Sequence, residues 1–500
     1  MSEEKQYNAR LLKNQARAIQ EYYILPKLAG SKKFFPYVVM LFKAHAVMLA
    51  EKNIIKKAYA SAILRELIQI DEAGFESITL RPELNDLYLN LNAILMQRLG
   101  DDVGGWLHIA VSRNDFDLTE ARLYCRELIN SSTNSLLTLM ESLLKLASAH
   151  VETVMPGYTH HSQAAQPITL AHFLLAHYDA FARDVERMEQ AYTVVNRSAM
   201  GGCALATTGF PIDRERVAGL IGCEGIVENS LDATGGRDFL LQTGSNAAIA
   251  MSTIGRLIES ILIWNTADFG MLELADQYCS ISSIMPQKKN PVGLEIIRAE
   301  AVKTHNAVNA AFGVTRALPT GNGREPGYID SLVFEAIEKL VFLAPVMADI
   351  ITTLNIKPEV MLNKAREGFS TMTELADEIV RQSTLSFHEA YVLVSRLVAN
   401  TIGQGLKANE ITTEMIDKAA VEVNLKPLQM PAIAVLRALD PVENVRVREV
   451  VGGPAPVEVR RMLSNRHTQQ AVLSARLHKR LNDLQVANTE LNIAAKKIAT

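Results

Sequence analysis

The sequence contains little cysteine, glycine or proline, and each shortage excludes a kind of protein. Only 4 of its 500 residues are cysteine, and Cys125, Cys203, Cys223 and Cys279 lie far apart with no CxxC pair among them. Neither a disulfide framework nor a zinc site is predicted, and we expect free thiols in a reducing cytoplasm. The 27 glycines and 17 prolines are few for this length, which favours long uninterrupted helices.

Basic residues are neither in excess nor clustered. The net charge is −4 and the pI is near 6.3, whereas a chain that binds nucleic acid needs a basic patch or stripe. The N-terminal stretch is polar, and the apolar run at 340–356 is broken by Pro345 and Asp349. Neither a secretory signal nor a membrane span is predicted. We therefore expect a cytoplasmic protein with no nucleic-acid and no membrane partner.

Three long stretches lack proline altogether. Residues 238–275 contain only three glycines, and their apolar residues recur at intervals of three and four positions. A broad apolar side also runs along residues 168–196, and residues 292–318 form the third stretch. Helices of this length cannot bury their apolar stripes singly, and no alternation of period two persists. The sequence therefore predicts an all-α fold built around a bundle of long helices.

The length of the chain suits two or three domains, because a single hydrophobic core rarely grows this large. Breaks in the helical patterns predict an N-terminal helical domain (1–112), a central long-helix bundle (113–366) and a C-terminal helical domain (367–500). Several helices are apolar over more than one face, and small residues such as those at 246–250 permit close helix approach. This pattern favours bundles that pair between subunits.

Polar residues cluster in four loops between the apolar helices, at 112–115, 157–160, 229–234 and 280–291. The first three have ordinary structural explanations when each is taken singly. They are a helix N-cap with a surface charge pair, a buried histidine with satisfied hydrogen bonds, and residues that cap the next helix. The fourth is harder to explain in this way, because it places serines, two lysines and an asparagine beside long hydrophobic elements.

The fourth loop contains SSIMPQKKNP at 282–291, which resembles the signature loop of the aspartase/fumarase superfamily. Members of that superfamily cleave C–N or C–O bonds and release fumarate. Within it the chain is most similar to argininosuccinate lyase, through SRND at 112–115, MPGYTH at 155–160 and RDF at 237–239. The resemblance covers roughly residues 38–463. It implies three helical domains, a central bundle and a homotetramer whose sites combine loops from three subunits.

The resemblance also implies a mechanism. A proton leaves the carbon beside a carboxylate, and the resulting dianion demands positive charge and hydrogen-bond donors. Ser282 matches the catalytic base of the family, and a serine hydroxyl needs activation to act as one. Lys288 and Asn290 match the residues that stabilise the serine oxyanion and the dianion. His160 matches the candidate general acid near the leaving group, and Glu295 matches the carboxylate that orients it.

A second set of residues is expected to bind the substrate. By the same resemblance these are Ser112, Arg113, Asn114, Thr159, Ser283, Asn290 and Arg324. Arginine suits a carboxylate because its planar guanidinium binds both oxygens at once. The implied chemistry needs neither a metal ion nor an organic cofactor.

The sequence departs from the family pattern mainly where the amine would bind. Argininosuccinate lyases carry Tyr, Gln and Lys in the loop after the bundle helix. Here those positions are Asn322, Gly327 and Asp330, with Arg324 and Tyr328 nearby. The Ser and Asp that hold the arginine end are not found near residues 27–38. The remaining departures are Ile281 before the serine pair, one inserted residue within 161–165, Val111 for an arginine and Tyr88 for a histidine.

Three functions are therefore compatible with the sequence. The first is an argininosuccinate lyase-like enzyme that eliminates an amine, arginine or another, from an N-substituted aspartate and releases fumarate. The second is a specialised N-substituted aspartate lyase that works towards C–N bond formation. The third is a catalytically silent structural relative of the crystallin kind, although the chain keeps Ser282, Lys288, Asn290 and His160.

Overall fold

The computed structural model describes residues 15–500 of this chain. The helices of eight residues or more are α1 (Phe35–Glu51), α2 (Lys57–Ala73), α3 (Leu87–Leu99), α4 (Arg113–Ala149), α5 (Leu170–Val195), α6 (Asp238–Trp264), α7 (Val292–Thr315), α8 (Pro326–Thr353), α9 (Pro358–Glu367), α10 (Met372–Gln382), α11 (Phe387–Gly403), α12 (Thr413–Glu422), α13 (Ala432–Leu439) and α14 (Pro456–Ala499). Shorter helical segments are Arg17–Ile19, Gln20–Ile24, Leu25–Ala29, Gly30–Phe34, Phe75–Ser77, Pro82–Leu84, Asp101–Gly104, Gly105–His108, Arg214–Leu220, Ser230–Gly235, Asp276–Tyr278, Ala408–Glu410 and Pro441–Arg446.

The strands are short and pair only in twos. The antiparallel pairs are β1 (Val154–Thr159) with β2 (Gln163–Thr169), β3 (Leu272–Glu273) with β6 (Asn355–Ile356), and β4 (Ser280–Ile281) with β5 (Lys289–Asn290). The prediction of an all-α fold is confirmed, because helices supply most of the core and the strands are short. The homotetramer stays a prediction.

The centre of the protein is a bundle of α4, α5, α6, α7 and α8. The longest of these, α4, has 37 residues and so extends about 55 Å at 1.5 Å per residue. The apolar pattern over 238–275 predicts one or two long helices, and in the structure one long helix ends at Trp264, before the pattern does. The chain turns back there because the side chain of Asn265 accepts a hydrogen bond from the backbone N–H of Leu274 at 2.9 Å. The N–H of Met271 also donates to the carbonyl of Trp264 at 3.0 Å.

The C-terminal part of the chain contributes to two apolar cores. Helices α10 to α13 bury their apolar residues in a cluster of their own. The 44-residue helix α14 instead packs against α1, α2 and α4, and it places Leu473, Leu477 and Leu491 in the main core. The predicted boundaries after residues 112 and 366 stay a prediction.

The segment predicted as a loop around His160 is a β-hairpin. Its turn consists of His160, His161 and Ser162, whose φ angles of 44°, 54° and 75° are all left-handed. A side chain at Gly157 would place its Cβ 2.6 Å from the carbonyl oxygen of Gln166, so this position requires glycine. Periodicity did not predict the hairpin because the strands meet with a bulge, which disturbs the alternation.

Two helical segments of the described chain, Arg17–Glu51 and Asp238–Trp264, are long and apolar enough to cross a membrane. The most apolar window of the first is 78% buried inside the fold, and that of the second is 50% buried. Core helices of soluble proteins pass the same test, so the finding is weak evidence for a membrane span. The four cysteines are free thiols, as predicted.

Candidate active site

The start of α4 forms a corner whose polar groups suit an anion. Ser112 is the N-cap, its Oγ accepts the N–H of Asn114 at 3.3 Å, and its own N–H donates to Oδ1 of Asp115 at 2.9 Å. This capping box fixes Arg113 and Asn114 at the first turn of a long helix. Backbone N–H groups and the helix dipole favour negative charge at that end. The corner therefore suits one carboxylate of an aspartate-derived substrate.

The buried side chain of Asp115 connects this corner to the segment around residues 201–203. It is fully buried, and its Oδ2 accepts the N–H groups of Gly201 at 2.8 Å and Cys203 at 2.9 Å. Burial raises the pKa of Asp115 to about 6, although its backbone donors act to lower the pKa. The side chain thus joins the helix start to the segment that precedes Ala204. The carbonyl of Ala204 in turn accepts a hydrogen bond from Nδ2 of Asn114 at 2.8 Å.

Replacing Asp115 by alanine is expected to lower the free energy of unfolding by about 3 kcal/mol, because two buried N–H groups then lose their acceptor. Denaturant unfolding followed by circular dichroism measures the change. Asp483→Asn is the matched control, since the Asp483 carboxylate is an exposed partner of Lys479 and contributes less than about 1 kcal/mol. A loss no larger than that of the control would contradict the anchoring role.

The loop between α7 and α8 lies over this corner. Nδ2 of Asn322 donates to Oδ1 of Asn114 at 2.9 Å, so the loop fixes the orientation of that amide. Arg113 forms an ion pair with Asp86 at 3.2 Å. Beside them is a cavity of about 740 Å³, which Arg113, Asn114, Asn322 and Arg324 line together with the segment that precedes α1. The structure therefore brings Ser112, Arg113, Asn114 and Arg324 together.

Ser282 follows β4 in the exposed loop between β4 and β5. Its Oγ accepts the backbone N–H of Met285 at 3.0 Å and lies 3.4 Å from that of Ile284. Two backbone donors aimed at this oxygen would stabilise a serine alkoxide. Lys288 and Ser283 are exposed in the same loop, and Asn290 lies in β5, paired with Ser280.

Glu295 and the histidine hairpin lie near this loop, at the same end of the bundle. Glu295 is exposed in the first turn of α7, three residues after the helix begins. Thr159 pairs with Gln163 at the tip of the hairpin, beside His160. The hairpin is held there by Tyr158, whose hydroxyl donates to Sδ of Met271 at 3.7 Å and whose ring packs on Phe269. Within residues 15–500, no hydrogen bond joins His160, Glu295 and Ser282 to one another.

The carboxylate corner and the Ser282 loop lie at opposite ends of the bundle. Arg113 lies at the first residue of α4, and the hairpin follows the last residue of this helix, about 55 Å away along its axis. α7 continues for about 30 Å beyond Glu295 before it reaches the loop that carries Asn322. The predicted site residues thus form two groups, and a single chain does not bring the groups together.

Three charged residues are notable among the cavity-lining residues that sequence reasoning missed. They are Lys27, Asp117 and Glu120. A signal for two of them was present, because Asp117 and Glu120 lie three residues apart on α4, and side chains at that spacing share a helix face. Lys27 comes from a distant part of the sequence, and no local pattern connects it with this helix.

Comparison with known proteins identifies the family. A family model described as Lyase matches residues 4–304, and one described as Argininosuccinate lyase C-terminal matches residues 369–446. The argininosuccinate lyase of Methanocaldococcus jannaschii is 36% identical over 87% of this chain and 88% of its own length. The chain belongs to the argininosuccinate lyase family. The argininosuccinate lyase of Methanosarcina barkeri is 37% identical over 85% of each chain.

Solved structures agree with membership of the argininosuccinate lyase family. An EDDS lyase variant with bound fumarate superposes with a TM-score of 0.86 at 30% identity, over 98% of this chain and 97% of its own. A class II fumarase from Schistosoma mansoni has a TM-score of 0.69 at 17% identity, over 82% of this chain and 90% of its own, and shares the fold alone. The protein is therefore a carbon–nitrogen lyase that releases fumarate from an N-substituted aspartate.

Proposed function

We propose that this enzyme cleaves argininosuccinate into arginine and fumarate in the cytoplasm. The main support is the cavity beside Arg113 and Asn114. It continues from the carboxylate corner and is lined by charged groups of both signs. Arginine has a long side chain and ends in an ammonium and a carboxylate, so it can form ion pairs with both the acidic and the basic residues of the cavity. The sequence relatives over most of the chain are named argininosuccinate lyases, which supports the same substrate.

In the proposed mechanism, Ser282 as an alkoxide removes a proton from the carbon beside one succinate carboxylate. The backbone N–H groups at Ile284 and Met285 stabilise the alkoxide, and Lys288 adds positive charge. The electron pair moves into the carboxylate to form the dianion, which Asn290 and Arg113 bind. It then returns to form the double bond of fumarate.

Expulsion of the amine completes the elimination. The C–N bond breaks as the double bond forms, and the leaving nitrogen takes a proton. We assign His160 as the donor of this proton, with Glu295 as the carboxylate that orients the imidazole. Thr159 and Ser283 would hold the substrate carboxylates from the opposite side.

We also propose that copies of this chain share each site in a homotetramer. One copy would supply Arg113 and its cavity, and others would supply the Ser282 loop and the hairpin, because one chain holds these groups at opposite ends. Large apolar side chains are exposed along the bundle and would be covered by partner helices: Ile249, Ile296, Val302, Phe312 and Phe342.

A second candidate keeps the chemistry but changes the amine. Of the residues in the Tyr, Gln and Lys positions of the family, Asp330 is held by Arg237 at 3.0 Å and Asn322 by Asn114. These altered positions would therefore give arginine different partners, which favours another amine as the substrate. In this second candidate the enzyme joins that amine to fumarate by forming the C–N bond.

The deciding experiment incubates the purified enzyme with argininosuccinate and follows fumarate at 240 nm. Release of fumarate together with arginine is expected. If argininosuccinate is inert but fumarate is consumed in the presence of another amine, the second candidate replaces the first. Inactivity towards argininosuccinate and every amine with fumarate would contradict both.

A further inference from the structure

Two carboxyl groups face the cavity without partners. Asp117 and Glu120 project from α4 into it, one and two helical turns beyond Arg113, about 6 Å and 10 Å along the helix axis. In the part of the chain that the structure describes, neither side chain forms a hydrogen bond or an ion pair. Both are only half-buried because they border this open space.

The other acids of the cavity are already paired. Asp86 binds Arg113 at 3.2 Å, and Asp330 binds Arg237 at 3.0 Å. Lys27 is the cation whose field acts most strongly on Asp117. Burial acts to lower the pKa of Lys27, but Asp117 and Asp86 outweigh this and raise it. One ammonium thus faces two carboxyl groups, and neither receives a hydrogen bond from it.

The two acids therefore leave a place for a second cation. Burial raises the pKa of Glu120 well above its ordinary value, and the charge of Asp117 raises it further. Burial also raises the pKa of Asp117, while Lys27 acts to lower it. Carboxylates that are partly removed from water without donors are costly, and a bound ammonium would supply both charge and N–H groups.

We infer that Asp117 and Glu120 bind a positively charged nitrogen at the far end of the leaving amine and thereby select amines that carry one. This rests on the proposed function, which places the succinate part at Arg113. The α-ammonium of arginine and the second nitrogen of a diamine both fit this description. A carboxylate at the far end, by contrast, would turn towards Lys27 and Arg324.

Matched amines test the inference in the C–N bond-forming direction with fumarate. Agmatine has an ammonium at its far end and 1-butylguanidine has none. The same difference separates 1,4-diaminobutane from 1-aminobutane. A fifth compound, 5-guanidinopentanoate, carries a carboxylate at its far end in place of the ammonium. We expect kcat/KM to be about 10- to 100-fold higher for the ammonium-bearing member of each pair, the range for hydrogen bonds between charged groups. Equal use of both members would overturn the inference.

Asp117→Asn and Glu120→Gln, singly and together, should reduce the ratio of kcat/KM between the two amines of each pair towards one. The reduction should come from a higher KM for the ammonium-bearing amine. The kcat for 1-aminobutane should stay within about threefold, because the reacting atoms are untouched. Glu127→Gln is the control on the same helix, since Glu127 is bound by Tyr37 and lies outside the cavity. A ratio that survives in the double variant, with thermal unfolding unchanged, would also overturn the inference.

Calorimetric binding of 1,4-diaminobutane separates this inference from the proposed function. If no amine reacts but the diamine binds the wild type and binds the double variant at least tenfold more weakly, the proposed function fails and the cation site stands. If the diamine binds neither protein, or both equally, the cation site is wrong whatever the activity.

Discussion

Ser282→Ala is expected to abolish fumarate release, lowering kcat by a factor of about 10³ or more. Its Oγ is the oxygen to which the N–H groups of Ile284 and Met285 are directed, and alanine leaves these donors without a base to activate. Because the loop is exposed and the hydroxyl bonds only within it, the fold should be unaffected. Absorbance at 240 nm measures the rate, and thermal unfolding checks the fold.

Ser280→Ala is the matched control for this experiment. Ser280 is an exposed serine of the same hairpin, and its backbone pairs with Asn290 in both proteins. Its kcat should stay within about threefold of the wild type. If the Ser282 variant kept more than a tenth of the wild-type rate, another residue would have to be the base.

Mixing two inactive variants is expected to restore activity from almost none to about one quarter of the wild-type value. Arg113→Ala removes the carboxylate corner, and Ser282→Ala removes the base at the other end of the bundle. Suppose that each site takes its Arg113 from one copy and its Ser282 from another. In an equal mixture, each of these two positions is then occupied by an intact residue with a probability of about one half. Random assembly then makes about one quarter of the sites complete.

The measurement requires the two variants to be unfolded together, refolded and assayed for fumarate release. A mixture of Ser282→Ala with Lys288→Ala is the control, because both changes fall in one loop and no mixture rebuilds an intact loop. Recovery only in the first mixture is expected. No recovery, with mixed oligomers demonstrated by mass, would show that one chain supplies both parts.

The long helices of this protein were predictable because their burial depends on local periodicity. Residues 168–196 and 292–318 form helices within a few residues of the predicted ends, since apolar spacing specifies a helix face. The end at Trp264 was not predictable, because the side chain of Asn265 turns the chain there by accepting a hydrogen bond from the backbone N–H of Leu274, nine residues further on. The hairpin at His160 depends on left-handed residues other than glycine, which composition does not indicate.

The candidate site shows the same division between local and distant information. The motif at 112–115 predicted a helix N-cap with a surface charge pair. The cap is present, but Asp115 is fully buried, and the half-buried Arg113 pairs with Asp86 instead. Its surroundings come from distant segments, since Asn322 reaches Asn114 and Asp86 reaches Arg113 only in the folded chain. The proposed cation site likewise depends on the folded chain, because the cavity combines α4 with segments that are distant in the sequence.

The separation of the two ends of α4 has a consequence for evolutionary change. The residues that we propose to select the amine lie in and around the first turns of this helix, and those that we assign to bond breaking lie beyond its last turn or in the neighbouring loop. A substitution in the cavity can therefore alter which amine is accepted without moving the groups that break the bond. Families built in this way can acquire new substrates by drift at one end of a helix while the other end stays under constant selection.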